Sequence, residues 1–319
     1  MDQSILSSRN IIGMYYARIE TNPGLAWVNA VSNLFGSDME SETYAFLGQS
    51  PVFREWIGGR QANGLRSSSF SITNKHYEAT LEIRVRDARR DKTGQIQARV
   101  DEFADRGITH WASLLSTLLI NGPSTVCYDG QYYFDTDHVE GDSGSQSNDI
   151  SIDISGLPTG DAGNHGSVTA PHALEMQQSI LQAVAAILGF KDDRGEPMNE
   201  NAQAFTVVVP VGLYMAALAA VSPAMIVSAA ANQLPPNVIG MQFNVQMNPR
   251  LTWTDSFAVF RTDSPIKGLI RQSETDQELK AKAEGSEFEF DNDAWQFGVD
   301  AWRNVGYGYW QRAVYVTMT

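Results

Sequence analysis

The sequence predicts an α+β chain on three observations. Apolar residues alternate with polar ones from Phe70 to Val85, an apolar period of three and four residues runs from Ile96 to Leu119, and a strand-like alternation returns near the C-terminus. With 319 residues, 43% hydrophobic and 19% charged, the chain can bury a sizeable core. Its single cysteine, Cys127, excludes an intrachain disulfide and any Cys-rich zinc or iron–sulfur site, and fits a reducing cytoplasm. A net charge of -14 argues against a nucleic-acid binder that works by counterion release, although an acidic wall can still surround DNA without trapping it. The first thirty residues show no export signal.

Taken in order, Asn10 to Phe35 offers apolar residues without a clean period, as expected of an arm that packs on something else. Residues 45 to 86 read as one long β-hairpin: a glycine- and arginine-rich extended segment (48–66), then alternation through Phe70, Ile72, Tyr77, Ala79, Leu81, Ile83 and Val85. The helix predicted over Ile96–Leu119 places Asp101, Glu102, Asp105 and Arg106 off its apolar face and is stopped by Gly122-Pro123. At 1.5 Å per residue it would be a rod of about 35–40 Å. Residues 140–167, crowded with Gly, Ser, Asp and Asn, predict an exposed loop. A second helix is signalled from Thr169 and Pro171 to Gly189. No charge occurs between Glu200 and Arg250, but Pro210 and Pro223 interrupt that stretch, so a buried strand, turn and helix are expected rather than a membrane span. Phe257 and Val259 resume β character, residues 274–284 are charged and exposed, and strands are expected from Phe288 through Ala301 and again from Tyr309 to Val316.

Chemical motifs are few. Gly141-Asp142-Ser143-Gly144 imitates a serine-protease nucleophile, but the candidate base, His110, falls inside the long helix. Asp135, Asp137, His138, Glu140 and Asp142 are dense enough for a metal site, the basis of an alternative reading as a metal-dependent hydrolase using Asp135, Asp137 and His138. Their spacing matches neither the calcium loop nor HExxH, and a solvated turn is the simpler account. No phosphate-cradling glycine loop is present. The basic run Arg84, Arg86, Arg89, Arg90 and Lys92 fits neutralisation of carboxylates on a neighbouring subunit better than phosphate binding. Projecting elements without a catalytic set point to an assembly protein.

The stretch from Tyr44 to Gly58, containing Leu47-Gly48-Gln49-Ser50-Pro51 and Arg54-Glu55-Trp56-Ile57-Gly58, resembles the Mu-like bacteriophage major head subunit family. Further matches are Phe70-Ser71-Ile72-Thr73-Asn74-Lys75, Tyr77-Glu78 through Leu81, Asn121-Gly122, Tyr128-Asp129-Gly130-Gln131 and Phe134-Asp135-Thr136-Asp137-His138. The resemblance covers roughly residues 25 to 140, with Gly306-Tyr307-Gly308-Tyr309-Trp310 also similar. It implies a Hong Kong 97-type capsid fold: an arm (1–44), an extended loop (45–86), a peripheral domain with spine helix and surface loop (87–169), an axial domain (170–285) and return strands of the peripheral domain (286–319).

The resemblance further implies a non-enzymatic major capsid protein of a tailed bacteriophage. It would form hexamers and pentamers of an icosahedral head around double-stranded DNA, with no sequence-specific DNA binding, no cofactor and no membrane. A separate scaffolding protein, a portal and a decoration or cement protein are the implied partners, and the virion, after assembly in host cytoplasm, is the implied location. Lys75 lies in the extended loop but no acceptor carries over, so non-covalent shells are expected. Phe46, Val52, Phe53, Trp56 and Ile57, with Arg54, Glu55, Arg60 and Arg66, are the candidate interface residues, since large apolar groups on an extended segment have no core of their own to fill.

Overall fold

The computed structural model describes residues 7–47, 67–91, 93–159, 163–221 and 240–319. Two sheets carry the architecture, and one helix runs between their cores. In the first sheet, β1 (Ser32–Gly36) pairs in parallel with β11 (Leu269–Lys282), β11 pairs antiparallel with β12 (Ala294–Tyr307), and β12 pairs antiparallel with β4 (Lys75–Arg84). Trp295, Phe297, Val299 and Ala301 alternate into the core as their spacing predicts. The charged segment expected at 274–284 is for the most part the outer half of β11. Glu274, Asp276, Glu278, Lys280 and Lys282 point outward while the residues between them face the protein or β12.

The expected strand from Phe288 is interrupted by a short helix, α7 (Glu287–Asn292). Ser286 Oγ accepts from the Glu289 N–H, which starts this helix, and Asp293, at φ 47°, ends it before β12 begins.

The second sheet runs β7 (Asp149–Ile152), β13 (Ala313–Met318), β10 (Ser256–Arg261), β8 (Ala204–Val209) and β9 (Gln242–Met247). Helices α5 (Ala173–Gly189) and α6 (Tyr214–Val221) pack on it. Val207–Val209, Phe257–Phe260, Val314 and Val316 meet Met176, Ile180, Val184 and Ile187 in the larger core. The predicted strand, turn and helix after Ala204 are present as β8, Pro210 and α6; residues 222–231 lie outside the described residues. Among the described residues no helix is long and apolar enough to cross a membrane. Helix α5 starts after His172 rather than at Pro171, because Glu175 Oε2 accepts the His172 N–H at 2.7 Å and closes a capping box.

One expectation needs correction here. The loop predicted over 140–167 supplies β6 (Ser145–Gln146) and β7, with Ile152 buried beside β13. Toward the C-terminus, β11 joins β12 and β4, whereas β13 crosses to β10 and β7. Side-chain character accounts for this. Ala313–Met318 is apolar on both faces and suits the covered interior of the second sheet, while β11 has one charged face and suits a sheet with one side in water.

The predicted rod is α4 (Gln95–Ile120), 26 residues and about 39 Å long. Asp91 starts it: its carboxylate accepts from the N–H groups of Thr93, Gly94, Gln95 and Ile96, which holds its pKa below the usual carboxylate range. Ile96, Val100 and Ala104 enter the core under the first sheet, with Trp295 and Phe297. Ala112, Leu115 and Leu119 enter the core under the second.

Candidate assembly surfaces

The projecting element is narrower than the sequence implies. β2 (Ser41–Leu47) and β3 (Ser67–Thr73) pair antiparallel, from Ser41 opposite Thr73 to Leu47 opposite Ser67, in a two-stranded ribbon of their own. β4 is not part of this ribbon; it lies against β12. Asn74 marks the division. Its Nδ2 donates to Met39 O at 2.9 Å and Glu274 Oε2 at 3.2 Å, so the chain is pinned between ribbon and sheet.

Gln272 completes the root from β11. Its Nε2 donates to Ile72 O (3.0 Å) and Asn74 Oδ1 (2.8 Å), while its Oε1 accepts from the Tyr44 hydroxyl (2.9 Å). Gln272 is fully buried, so each of these bonds removes a desolvation cost that an unpaired amide would carry. Ile72 rests on Gly306, where a Cβ would come within 2.3 Å of Ile72 Cδ1. The base of the ribbon is thereby fixed to the first sheet. Of the candidate interface residues, Phe46 lies on β2 opposite Ser68; Val52, Phe53, Arg54, Glu55, Trp56, Ile57, Arg60 and Arg66 lie outside the described residues.

The expected arm is largely folded onto its own chain. α1 (Ser8–Thr21) lies along α4, with Ile11 and Tyr15 buried and Arg18 paired with Asp105 at 2.7 Å. α2 (Ala26–Val31) buries Trp27, Val28 and Val31 in the larger core. The mixed apolar pattern over 10–35 thus finds its partner within the subunit.

The would-be metal cluster is dispersed. His138, fully buried, stacks on Trp310 and places Nδ1 2.6 Å from Asp129 Oδ2 and Nε2 3.1 Å from Asn148 Oδ1. Asp137 is exposed and Asp135 half-buried, and the Asp135 side chain accepts N–H groups from Tyr132 and Thr136. Glu140 accepts instead from the Tyr128 hydroxyl, Trp310 Nε1 and Gln311 Nε2. A different trio, Cys127, Asp129 and His138, does bring donor atoms together. These atoms already satisfy one another: the Cys127 thiol donates to Asp129 Oδ1 at 3.0 Å, and burial, then the Asp129 charge, push its pKa up. A protonated thiol and a ring bonded at both nitrogens describe a structural polar knot, not an open ligand set.

The protease-like tetrapeptide is a turn. Ser143 Oγ accepts from the Glu140 N–H and donates to Gly144 O. His110 lies in α4 as expected, edge-on to Tyr77; burial, then Arg303 and Arg250, push its pKa down to about 4. Gly141 sits at φ 55°, where a Cβ would fall 2.3 Å from Asp193 O. Gly141→Ala is expected to cost roughly 2 kcal/mol or more, read as a lowered urea midpoint. An unchanged midpoint would contradict this structural role for the tetrapeptide.

Sequence reasoning missed Asn74, Gln272, Asp129 and Asn148 as organising groups. Asn74 and Asp129 stood inside the quoted motifs, but nothing in their spacing signals partners that are distant in the chain.

The family described as Mu-like prophage major head subunit gpT matches residues 18–158 and 240–319, well over half of the chain. The chain belongs to this head-subunit family. The matched segments hold the ribbon, α4, the first sheet, β7, β9, β10 and β13.

Among curated relatives, the Mu-like prophage FluMu major head subunit of Haemophilus influenzae is 34% identical over 137 residues, covering 41% of this chain and 44% of that protein. The major capsid protein of Escherichia phage Mu is 32% identical over 139 residues, covering 41% and 45%. The match thus spans less than half the length of either relative. Among solved structures, the procapsid of bacteriophage JBD30 superposes with a TM-score of 0.54 at 21% identity, over 96% of this chain and 72% of that one. The capsid of cyanophage P-SCSP1u gives 0.54 at 11%, over 93% and 88%. The fold of this head subunit is therefore the α+β capsid fold of the Hong Kong 97 type.

Proposed function

We propose that the chain is the major capsid protein of a tailed double-stranded DNA bacteriophage, assembling into hexamers and pentamers that close an icosahedral head around the genome. The observation that carries this reading is the β2–β3 ribbon on its fixed root. A two-stranded ribbon is marginal in water by itself, and this one pairs with no further strand among the described residues. Laid over a neighbouring subunit, it would bury area on both partners, with Phe46, Val52, Phe53, Trp56 and Ile57 as apolar anchors. The arm, extended loop, peripheral and axial regions are assigned to this chain on the same reading, with β11 grouped with β12 and β13 with the second sheet. The subunit works as a structural element, with no catalytic step. A scaffolding protein guides assembly in the host cytoplasm, a portal occupies one vertex, a decoration or cement protein can bind the finished shell, and the virion is the destination.

Electron micrographs of the purified protein, expressed with and without its scaffolding partner, test this. Closed shells or capsomers are expected, dissolving on a denaturing gel to a single band at the monomer mass. A persistent monomer in both preparations would overturn the assembly reading, and a ladder of linked bands its non-covalent part.

A further inference from the structure

At the far end of the first sheet from the ribbon root, two complementary surfaces lie side by side. Between residues 284 and 293 the sequence holds Glu284, Glu287, Glu289, Asp291 and Asp293 and no cation. Helix α7 occupies most of this stretch, and Phe290 projects from it with 91% of its surface in water, the most exposed large apolar side chain among the described residues. A phenylalanine presented this way has no role in its own core. Glu289 is used locally, its Oε2 accepting the Gly285 N–H at 2.7 Å. Glu287 and Asp291 are exposed and have no ion-pair partner among the described residues.

The second surface is a groove of about 550 Å³ where β4, the short helix α3 (Val85–Arg90) and the first turn of α4 meet. Arg84, Arg90 and Arg99 line it and are exposed, and none forms a salt bridge among the described residues. Three acids share the lining: Asp91 caps α4, Asp87 lies 3.7 Å from Arg86, and the exposed Glu82 accepts from Gln296 Nε2 at 3.3 Å. Pairing of Ala294 with Arg84, and the Val85 N–H donated to Asp293 O, fix α7 and the groove at one end of the molecule. Within the chain, no ion pair joins them among the described residues.

We propose that α7 of one subunit seats against the arginine-lined groove of a second copy of this chain, with Phe290 as the apolar anchor and Glu287 and Asp291 facing Arg90 and Arg99. This rests on the assembly reading above and adds a contact independent of the ribbon. Donor and acceptor differ and adjoin, so each copy can give one helix and receive one. Burial of Phe290 supplies the anchoring area, while the opposed charges set register and speed the encounter. It also gives the basic run a use in so acidic a chain.

A charge exchange in the full chain tests the contact, scored by shell yield in micrographs and sedimentation. Arg90→Glu with Arg99→Glu, Glu287→Arg with Asp291→Arg, and Phe290→Ser are each expected to lower the yield at least tenfold. Soluble subunits should keep the wild-type circular dichroism. The chain carrying all four charge exchanges is expected to recover at least half the wild-type yield. Wild-type yields from the separate variants, or no recovery in the combined one, would overturn the contact while wild-type shells in the same experiment leave the assembly reading standing. Absence of wild-type shells would remove that reading and this contact with it.

Discussion

Excision of residues 45–69, with Tyr44 joined to Phe70 through a short Gly-Ser turn, is expected to give a folded, soluble subunit that closes no shells. The deletion spares the root, since Tyr44, Ile72, Asn74 and Gln272 remain, and every buried residue named above for the two large cores stays in place. What it removes is a ribbon whose strands, among the described residues, pair with each other and with no further strand. Circular dichroism and a urea midpoint near the wild-type value, together with empty micrographs, are the expected result. Intact shells from this variant would refute the role given to the ribbon. A wider cut over 45–86 is a different experiment. It deletes β4 from the edge of β12 and takes Ile83 and Val85 from the core beneath, so this variant is expected to unfold. The boundary between the two outcomes is Asn74.

Asp129→Ala is expected to lower stability by about 1–3 kcal/mol, the cost of leaving the buried His138 ring and Cys127 thiol without their acceptor. The amide of Asn148 is oriented by donation from Nδ2 to Tyr133 O at 2.8 Å and by the Asp135 N–H donated to its Oδ1 at 2.9 Å. Its Oδ1 can therefore only accept from His138 Nε2, and Nδ1 faces the Asp129 carboxylate. The ring is thereby held between the Asn148 amide and the Asp129 carboxylate, on the face of Trp310. Urea unfolding at neutral pH reads the loss; a change under 1 kcal/mol would contradict the pairing. The pH dependence follows. Burial alone would raise the Asp129 pKa, but hydrogen bonds from His138 and Cys127 outweigh it and hold the pKa low. A depressed folded pKa gives a contribution complete above the unfolded carboxylate value of about 3.9 and lost as pH falls through the lower folded value. The wild type should lose this increment on acidification below about pH 4, and Asp129→Ala should not.

How legible each part was in the sequence depends on how local its cause is. Helix α4 was readable to within a residue because its apolar stripe and its stop at Gly122-Pro123 are contained in the segment itself. The end of the ribbon was not, because β3 and β4 alternate alike and only distant Gln272 and Glu274 decide that Asn74 breaks them. The acidic cluster offered a metal site as an alternative for a related reason. Asp135, Asp137 and His138 are close along the chain, yet β5 (His138–Val139) turns His138 inward between exposed neighbours, toward Asn148 and Trp310. Phe288 and Phe290 carried a strand-like alternation that a serine cap three residues before Glu289 overrode. Family motifs marked Asn74 and Asp129 as positions of interest, but only the folded contacts say what they hold.

Helix α4 serves both apolar clusters, one along its first half and the other along its second. The two halves of the subunit therefore share their cooperativity. Opening either cluster strips half of the rod of its packed face, and a half-rod of a dozen residues is marginal as an isolated helix. Sub-global opening of one half is thereby penalised by the other, and the backbone amides of α4 exchange with solvent mainly when the whole subunit unfolds. The junction between the two clusters falls at Gly107, an interior glycine that meets the side chain of Gln277.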